Sequence, residues 1–450
     1  MGACLGRVVM IRRLLKQVWM TIGILVAVFA VSWLIYMPDA SERGVWRSQT
    51  GGQIITLNMA QATLYNESSA SCIRQLTFPA HMKLVELAEG ARVEVVNDIL
   101  LLNVDGSVEP TAFDRIPALP EPCTDANPNA PALDTFNALW SAMDENYAFF
   151  DLHGVDWDAR RDLAPTSNPT LTDAELFALL SQTLDGLDDG HVQLGTPLGY
   201  FSPARAPDWL PTDDTLSRDR LWSIARTHIA EQLTPVAQTG VEYTVLPDGV
   251  AYVLIRHMGV DNPFGTTEFS AMTNAFAPVA AELATANSII IDLRYNPGGS
   301  DTVSFGLAAH FTGVPVDVFT KTTRNGDTQT EPFTARLLPY GDTPLTQPVI
   351  VLTSQLTGSA AEILTMAMRE LPQVTTMGQP TSGGLSDILG FKLPNGWDMG
   401  LSHQTYRTMD GTSYEAIGIP PDIEFEIESA PLLQGNDPLL DAALSMARGQ

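Results

Sequence analysis

The spacing of apolar positions changes character several times along the chain, and each change predicts a different kind of structure. Val18 to Met37 is an almost wholly apolar run of 20 residues. At about 1.5 Å rise per residue a helix of that length spans the roughly 30 Å hydrocarbon core of a bilayer. From about residue 44 to 115 short stretches alternate apolar and polar side chains, as in Gln53-Ile-Ile-Thr-Leu-Asn58 and Ala91-Arg-Val-Glu-Val-Val96, with Gly and Asn or Asp between them. Period-two alternation broken by turn residues predicts a small antiparallel β domain, and nothing in it indicates a role. Five prolines between Pro117 and Pro131 then mark residues 116–132 as a linker.

Beyond the linker the period becomes helical. Phe136, Leu139, Trp140, Met143 and Tyr147 share one face behind Asp134 as an N-cap, and Thr172 with Glu175 forms a capping box opening a second helix that carries Leu176, Leu180, Leu184 and Leu187. Residues 133–200 are thus the helical start of a domain. Residues 201–245 are polar and irregular and are expected to form an insert. From 246 to 450, apolar β-branched runs at Val250–Ile255, Ser288–Leu293 and Pro348–Thr353 alternate with helical stretches near Glu268–Leu283, at Asp301–Phe311 and from Ser359. Such alternation predicts an α/β core of parallel strands with helical crossovers, joined past Phe391 by antiparallel strands.

Composition and charge narrow the function classes. With 25 Lys+Arg against 52 Asp+Glu the formal net charge is −27, and the soluble part has no basic cluster. Nucleic-acid binding is excluded, because it needs a basic face to displace counterions. Four of the basic residues, Arg7, Arg12, Arg13 and Lys16, precede the apolar run; the remaining 21 against 52 acids leave the rest of the chain at net −31. Basic residues on that side keep the N-terminus cytoplasmic and send everything after Pro38 across the membrane. The expectation is therefore a single-pass signal anchor at residues 1–37 with a periplasmic or otherwise extracytoplasmic domain. A cleaved signal peptide is the alternative, although Trp33, Ile35, Tyr36 and Met37 occupy the place where a cut needs small residues. An oxidising compartment would allow Cys72 and Cys123 to pair, and two unrelated buried thiols are the other reading. The seven histidines show no metal-binding spacing, so neither a zinc site nor another cofactor is predicted.

Three loops at or near strand-to-helix junctions carry candidate chemistry. The strand at Ile289 runs into Asn296-Pro-Gly-Gly299, where glycines free backbone N–H groups to face a ligand, or simply form a turn. Ser359 stands at a predicted helix N-terminus with the Ala360 N–H next to it, a setting for a nucleophile and half of an oxyanion hole. Taken alone, Ser359-x-x-Glu362 reads first as a capping box. His191, closing Asp188-Asp-Gly-His, is a candidate general base or an ordinary surface histidine.

Together these segments resemble the tail-specific, or C-terminal-processing, serine peptidases, in the branch of the tricorn core and the interphotoreceptor retinoid-binding protein repeats. The resemblance rests on Phe136…Leu139-Trp140…Tyr147, Asp156-Trp-Asp158, Leu187-Asp-Asp-Gly-His191, Asp292-Leu-Arg-Tyr-Asn-Pro-Gly-Gly299, Gly358-Ser-Ala-Ala-Glu362, Gly378-Gln-Pro-Thr-Ser-Gly-Gly384 and Glu415-Ala-Ile-Gly-Ile-Pro-Pro-Asp422. They occur in the family's order over about residues 134–427. It implies a crotonase-like catalytic fold, Ser359 as nucleophile, and an oxyanion hole from the Ala360 N–H and one N–H of the Gly298-Gly299 turn. The lysine used by much of the family is replaced by Gly384, whereas the tricorn branch's histidine base matches His191 and its relay glutamate matches Glu415. The relay serine before that histidine is Gly190 here, leaving Asp188, Asp189 or a water to hold the imidazole, with Glu415 at a distance.

The family's PDZ domain does not fit between His191 and Asp292. The expected activity is hydrolysis of peptide bonds in exported proteins or peptides through an acyl-enzyme. The alternative is an inactive member that binds apolar small molecules or peptides. The oligomeric state is left open.

Overall fold

The computed structural model describes residues 37–79, 91–104, 106–166, 171–229, 232–261 and 266–450. The anchor expected at 1–37 lies outside them apart from Met37. Among the described residues no helix is long and apolar enough to cross a membrane.

The alternating stretches after Gly44 form one eight-stranded sheet, antiparallel except at one edge, where Ser71–Pro79 pairs in parallel with the two-residue strand Cys123–Thr124. Cys72 stands opposite Cys123 in that register, and the two form a disulfide. The expected linker therefore contributes the last strand of the β domain. The core of this sheet is small, built on Trp46, Leu57, Ala62, Val93, Leu100 and Phe113. Its attachment to the rest of the chain includes a polar clamp, in which buried Asn66 donates to the Gly390 carbonyl at 2.7 Å and accepts the Lys392 N–H at 2.8 Å, as a paired strand would, and an apolar contact through Val108.

The α/β core is a seven-stranded sheet running Thr234–Pro235, Thr239–Val245, Val250–Val260, Ser288–Asp292, Val349–Thr353, Val374–Gly378 and Ile423–Glu424, parallel from the third strand onward. Ser288–Asp292 and Val349–Thr353 are buried at every position, as strands covered on both faces must be. Alternate residues serve opposite faces. Ile289, Ile291, Val349 and Val351 pack with helices Glu268–Leu283, Asp301–Ala308 and Ala360–Arg369. Ile290, Ile350 and Leu352 pack with Arg218–Ile229 and Pro438–Ala447.

A smaller four-stranded sheet brings Gln193–Thr196, just after His191, beside the strands Asp398–Ser402 and Ile388–Lys392. The helical face starting at Phe136 packs against that sheet.

Two local expectations are corrected. The first helix runs Ala132–Asn146 from Pro131, so Asp134 lies in its first turn instead of capping it. Proline just before the helix presets its entry, and an acidic side chain one turn in favours the dipole. Residues 201–245 are not a wholly irregular insert. They hold the helix Arg218–Ile229 and the strand Thr239–Val245. Polar residues on the outer face of that helix hide the stripe Leu221, Trp222, Ala225 and Ile229 that it buries. The capping box at Thr172 and Glu175 is formed as expected.

Candidate active site

Ser359 lies between the buried strand Val349–Thr353 and the helix Ala360–Arg369, with φ 54° and ψ −128°. That backbone is costly for any residue but glycine, roughly 1–3 kcal/mol, and persists only where its surroundings impose it. An ordinary cap serine adopts extended backbone instead. Here the Glu362 N–H goes to the Ser359 carbonyl at 2.7 Å, and Glu362 Oε2 accepts the Ser359 N–H at 2.9 Å, so the capping pair closes through main-chain groups. The Ser359 hydroxyl sits in the capping-box position toward the Glu362 N–H but makes no cap hydrogen bond of good geometry.

Glu362 does more than cap. Fully buried, it also accepts from Thr381 Oγ1 (2.6 Å), Ser382 Oγ (3.0 Å) and the N–H groups of Gly383 (2.8 Å) and Gly384 (2.9 Å). Burial pushes its carboxyl up while these donors pull it down. The Thr381–Gly384 segment is thereby fastened to the serine's own helix. Gly384, in the family lysine's place, spends its N–H on Glu362, and Lys392 is ion-paired with Asp398.

The Gly298-Gly299 turn presses against the serine. A Cβ on Gly298, whose φ is +104°, would sit 2.6 Å from Ser359 Cβ and 3.0 Å from the Ala360 nitrogen. Asn296 fixes the turn: its Oδ1 accepts the Gly298 N–H (2.8 Å), its Nδ2 donates to the Ile255 carbonyl (3.0 Å) and its carbonyl accepts the Gly358 N–H (2.9 Å). The Gly298 N–H is therefore spent. Ala360 and Gly299 keep N–H groups with no hydrogen-bond partner among the described residues. Behind the turn, buried Arg294 bridges Asp292 and Asp437 and holds the strand end against the C-terminal helix.

His191 reaches the site from the opposite wall. Asp188 takes φ 52° and pairs with Arg205 at 2.7 Å, and Asp189 Oδ1 accepts the His191 N–H at 2.8 Å. His191, Ser359, Glu415 and Gly384 line one cleft of about 750 Å³, and His191 Cε1 lies 3.9 Å from where a Gly384 Cβ would be. No hydrogen bond joins His191 to Ser359 among the described residues. Catalytic pairs without substrate are commonly this loose. Glu415 is buried beside them and accepts the N–H groups of Leu385 and Ser386, each at 3.2 Å. Burial first, then the charges of Asp189 and Glu362, hold its carboxyl well above the usual range.

The outer wall is residues 204–218, tied down by Arg218 donating to the Tyr295 and Leu356 carbonyls at 2.7 and 3.0 Å. A second cavity of about 770 Å³, around Asp301, Lys321 and Asp387, contains neither Ser359 nor His191.

Asn296, Glu362 and Thr381 were not singled out by sequence as parts of the site. Glu362 was visible only as a cap, and its other partners lie about 20 residues away in sequence.

Comparison with known proteins finds similarity over parts of the chain. Residues 249–425 match peptidase family S41, and residues 128–184 match the tricorn protease C1 domain. A carboxyl-terminal-processing protease of Synechocystis sp. is 32% identical over 192 residues, 41% of this chain and 43% of that protein. The carboxy-terminal processing protease CtpA of Bacillus subtilis is 26% identical over 222 residues, 48% of this chain and 46% of that one. The chain thus spans less than half the length of these curated relatives. The crystal structure of a candidate peptidase from Parabacteroides merdae superposes with TM-score 0.60 at 28% identity, covering 71% of this chain and 97% of that one. The fold is a mixed α/β fold shared with that candidate peptidase. Over residues 249–425 the chain is similar to peptidase family S41.

Proposed function

We propose that the protein is a serine endopeptidase that hydrolyses peptide bonds of exported proteins or peptides. The observation that carries this is Ser359: a hydroxyl presented by strained backbone at a buried helix N-terminus, beside an unused N–H and in one cleft with a histidine.

In the mechanism, His191 takes the Ser359 proton as Oγ attacks the peptide carbonyl. The Ala360 N–H, with the helix dipole behind it, stabilises the oxyanion, and the Gly299 N–H is the donor left free in the glycine turn. The protonated imidazole then gives its proton to the leaving amine, and water, deprotonated by the same histidine, clears the acyl-enzyme. Glu415 lines the same cleft and spends its carboxylate on the Leu385 and Ser386 N–H groups.

An inactive apolar-binding relative would have no use for a strained serine in one cleft with a histidine, which weighs against that reading. The Cys72–Cys123 pair and the apolar run Val18–Met37 support an extracytoplasmic, membrane-anchored enzyme.

The test is turnover of an unfolded protein substrate by the full chain. Wild type cleaves it, and Ser359→Ala and His191→Gln do not; cleavage by Ser359→Ala at the wild-type rate would refute the assignment. Membrane extraction after fractionation tests the anchor: release by carbonate or salt alone would contradict it.

A further inference from the structure

A base that passes its proton between serine and leaving group needs its other ring nitrogen held, because that contact selects the tautomer. In this chain Gly190 offers no side chain for the purpose. Another group lies close to His191. Three buried polar atoms there have no hydrogen-bond partner: His191 Nδ1, Asp189 Oδ2 and the Tyr147 hydroxyl. Buried polar groups are nearly always paired. Of the three, the carboxylate oxygen only accepts, the hydroxyl can donate, and the ring nitrogen donates in one tautomer. One acceptor with room for two donors satisfies the set.

The three groups belong to one neighbourhood. Asp189 already grips the His191 main chain through Oδ1 at 2.8 Å. Its charge, and a side-chain hydrogen bond that falls short of ideal geometry, act on the Tyr147 hydroxyl, whose ionisation burial disfavours most of all. Tyr147 is itself immobilised, fully buried at the end of the helix Ala132–Asn146 and packed against Phe149 and Phe150 with ring centroids 5.9 and 4.8 Å away. Glu415 is committed elsewhere: it binds the Leu385 and Ser386 N–H groups, and its surroundings favour the neutral acid, which stabilises an imidazolium poorly.

We propose that Asp189, backed by the Tyr147 hydroxyl, is the positioning residue of the base: Oδ1 fixes the His191 main chain and Oδ2 accepts Nδ1–H, leaving Nε2 for Ser359. This rests on the reading of His191 as the base. The other titratable groups around the imidazole are Asp188, paired with Arg205; His153, Asp214 and Arg218 in the cleft; and Glu415 and Glu362 on the buried side.

The test is histidine-selective 15N NMR on the full chain carrying Ser359→Ala, with His191 assigned by loss of its signals in His191→Gln. The neutral ring is predicted to be the Nδ1–H tautomer. Adding Asp189→Asn removes the acceptor for Nδ1–H and is predicted to move the neutral ring toward the Nε2–H tautomer. Adding Glu415→Gln leaves the tautomer as in the parent. An Nε2–H tautomer in the parent overturns the proposal, even if Asp189→Asn does not fold. So does an unchanged tautomer in Asp189→Asn, or a change of tautomer in Glu415→Gln.

These readouts need no turnover, so they separate failure of the positioning idea from failure of the peptidase reading. In the Ser359 background, Asp189→Asn is expected to lower kcat/KM by about 10²-fold or more with KM little changed, and to move the acid limb of the pH profile down. A uniform loss with the limb in place would reduce Asp189 to scaffolding.

Discussion

Adding one methyl group at Gly298 tests the junction between the glycine turn and the serine most sharply. In Gly298→Ala the new carbon would lie 2.6 Å from Ser359 Cβ, 2.7 Å from the Gly358 carbonyl oxygen and 3.0 Å from the Ala360 nitrogen, all on main chain or at the base of a side chain. None of these can rotate away. The backbone at φ +104° adds roughly 1–3 kcal/mol for a residue with a Cβ, and forcing a methyl into a packed site typically adds another 1–3 kcal/mol. Destabilisation of about 2–6 kcal/mol is expected. Relief by moving the turn would draw it away from Ala360, so molecules that do fold should lose oxyanion stabilisation, about 10²–10³-fold in kcat.

The control is Gly384→Ala, on the other side of the serine. Its Cβ would have 3.9 Å to each of Glu362, His191 and Ser382, with φ outside the glycine-only region, so its stability should change by less than about 1 kcal/mol. Urea denaturation of the two variants, with the rate of acylation by a fluorophosphonate, measures both effects. A Gly298→Ala protein as stable and as reactive as wild type would refute the packing described for the site.

Three further outcomes follow from buried groups. Glu362→Gln places an amide among donors that require an acceptor, and about 3 kcal/mol or more should be lost in chemical denaturation, since each unpaired buried donor costs roughly 1–3 kcal/mol; a loss under 1 kcal/mol would mean the hub is dispensable. His310 is buried between Phe276 and Tyr340, and burial pulls its pKa down to about 4. Between about pH 6.5 and 4 the unfolded chain therefore binds a proton that the folded one does not. Stability should fall as pH falls through that window, by up to about 3 kcal/mol, and His310→Leu should flatten the dependence. Identical pH profiles for the two proteins would remove His310 as the cause. Reducing Cys72–Cys123, 51 residues apart, should destabilise the N-terminal sheet by up to about 4 kcal/mol on chain-entropy grounds, seen as earlier proteolysis of residues 44–124. Unchanged proteolysis in reductant would assign the sheet's stability to its core and its contact through Asn66.

The parts legible in the sequence are those in which neighbours along the chain decide the structure. Unbroken runs such as Ser288–Asp292 and Val349–Thr353 could only be strands buried on both faces, and the Gly-Gly pair after Asn296 and the serine after Gly358 fell at the strand ends where a site forms. The helix at Arg218–Ile229 was hidden because its exposed face is strongly polar. Asp134 looked like a cap because its side chain suits that role, while Pro131 decides the entry.

Long-range hydrogen bonding was not legible. Glu362 with Thr381 and Asn296 with Ile255 are joined only by the fold, and no local spacing encodes them. The Cys72–Cys123 pairing was legible as an option from compartment and cysteine count, and the disulfide bears it out, but a proline-rich stretch gives no hint that Cys123 and Thr124 form a strand.

The central claim, that Ser359 is a nucleophile activated within this cleft, is tested most directly by finding where a fluorophosphonate probe attaches. Labelling of the full chain followed by peptide mapping should place one phosphonate on Ser359, with labelling abolished in Ser359→Ala and slowed at least about 10²-fold in His191→Gln. Modification of a different residue, or equal labelling of Ser359→Ala, would contradict the account.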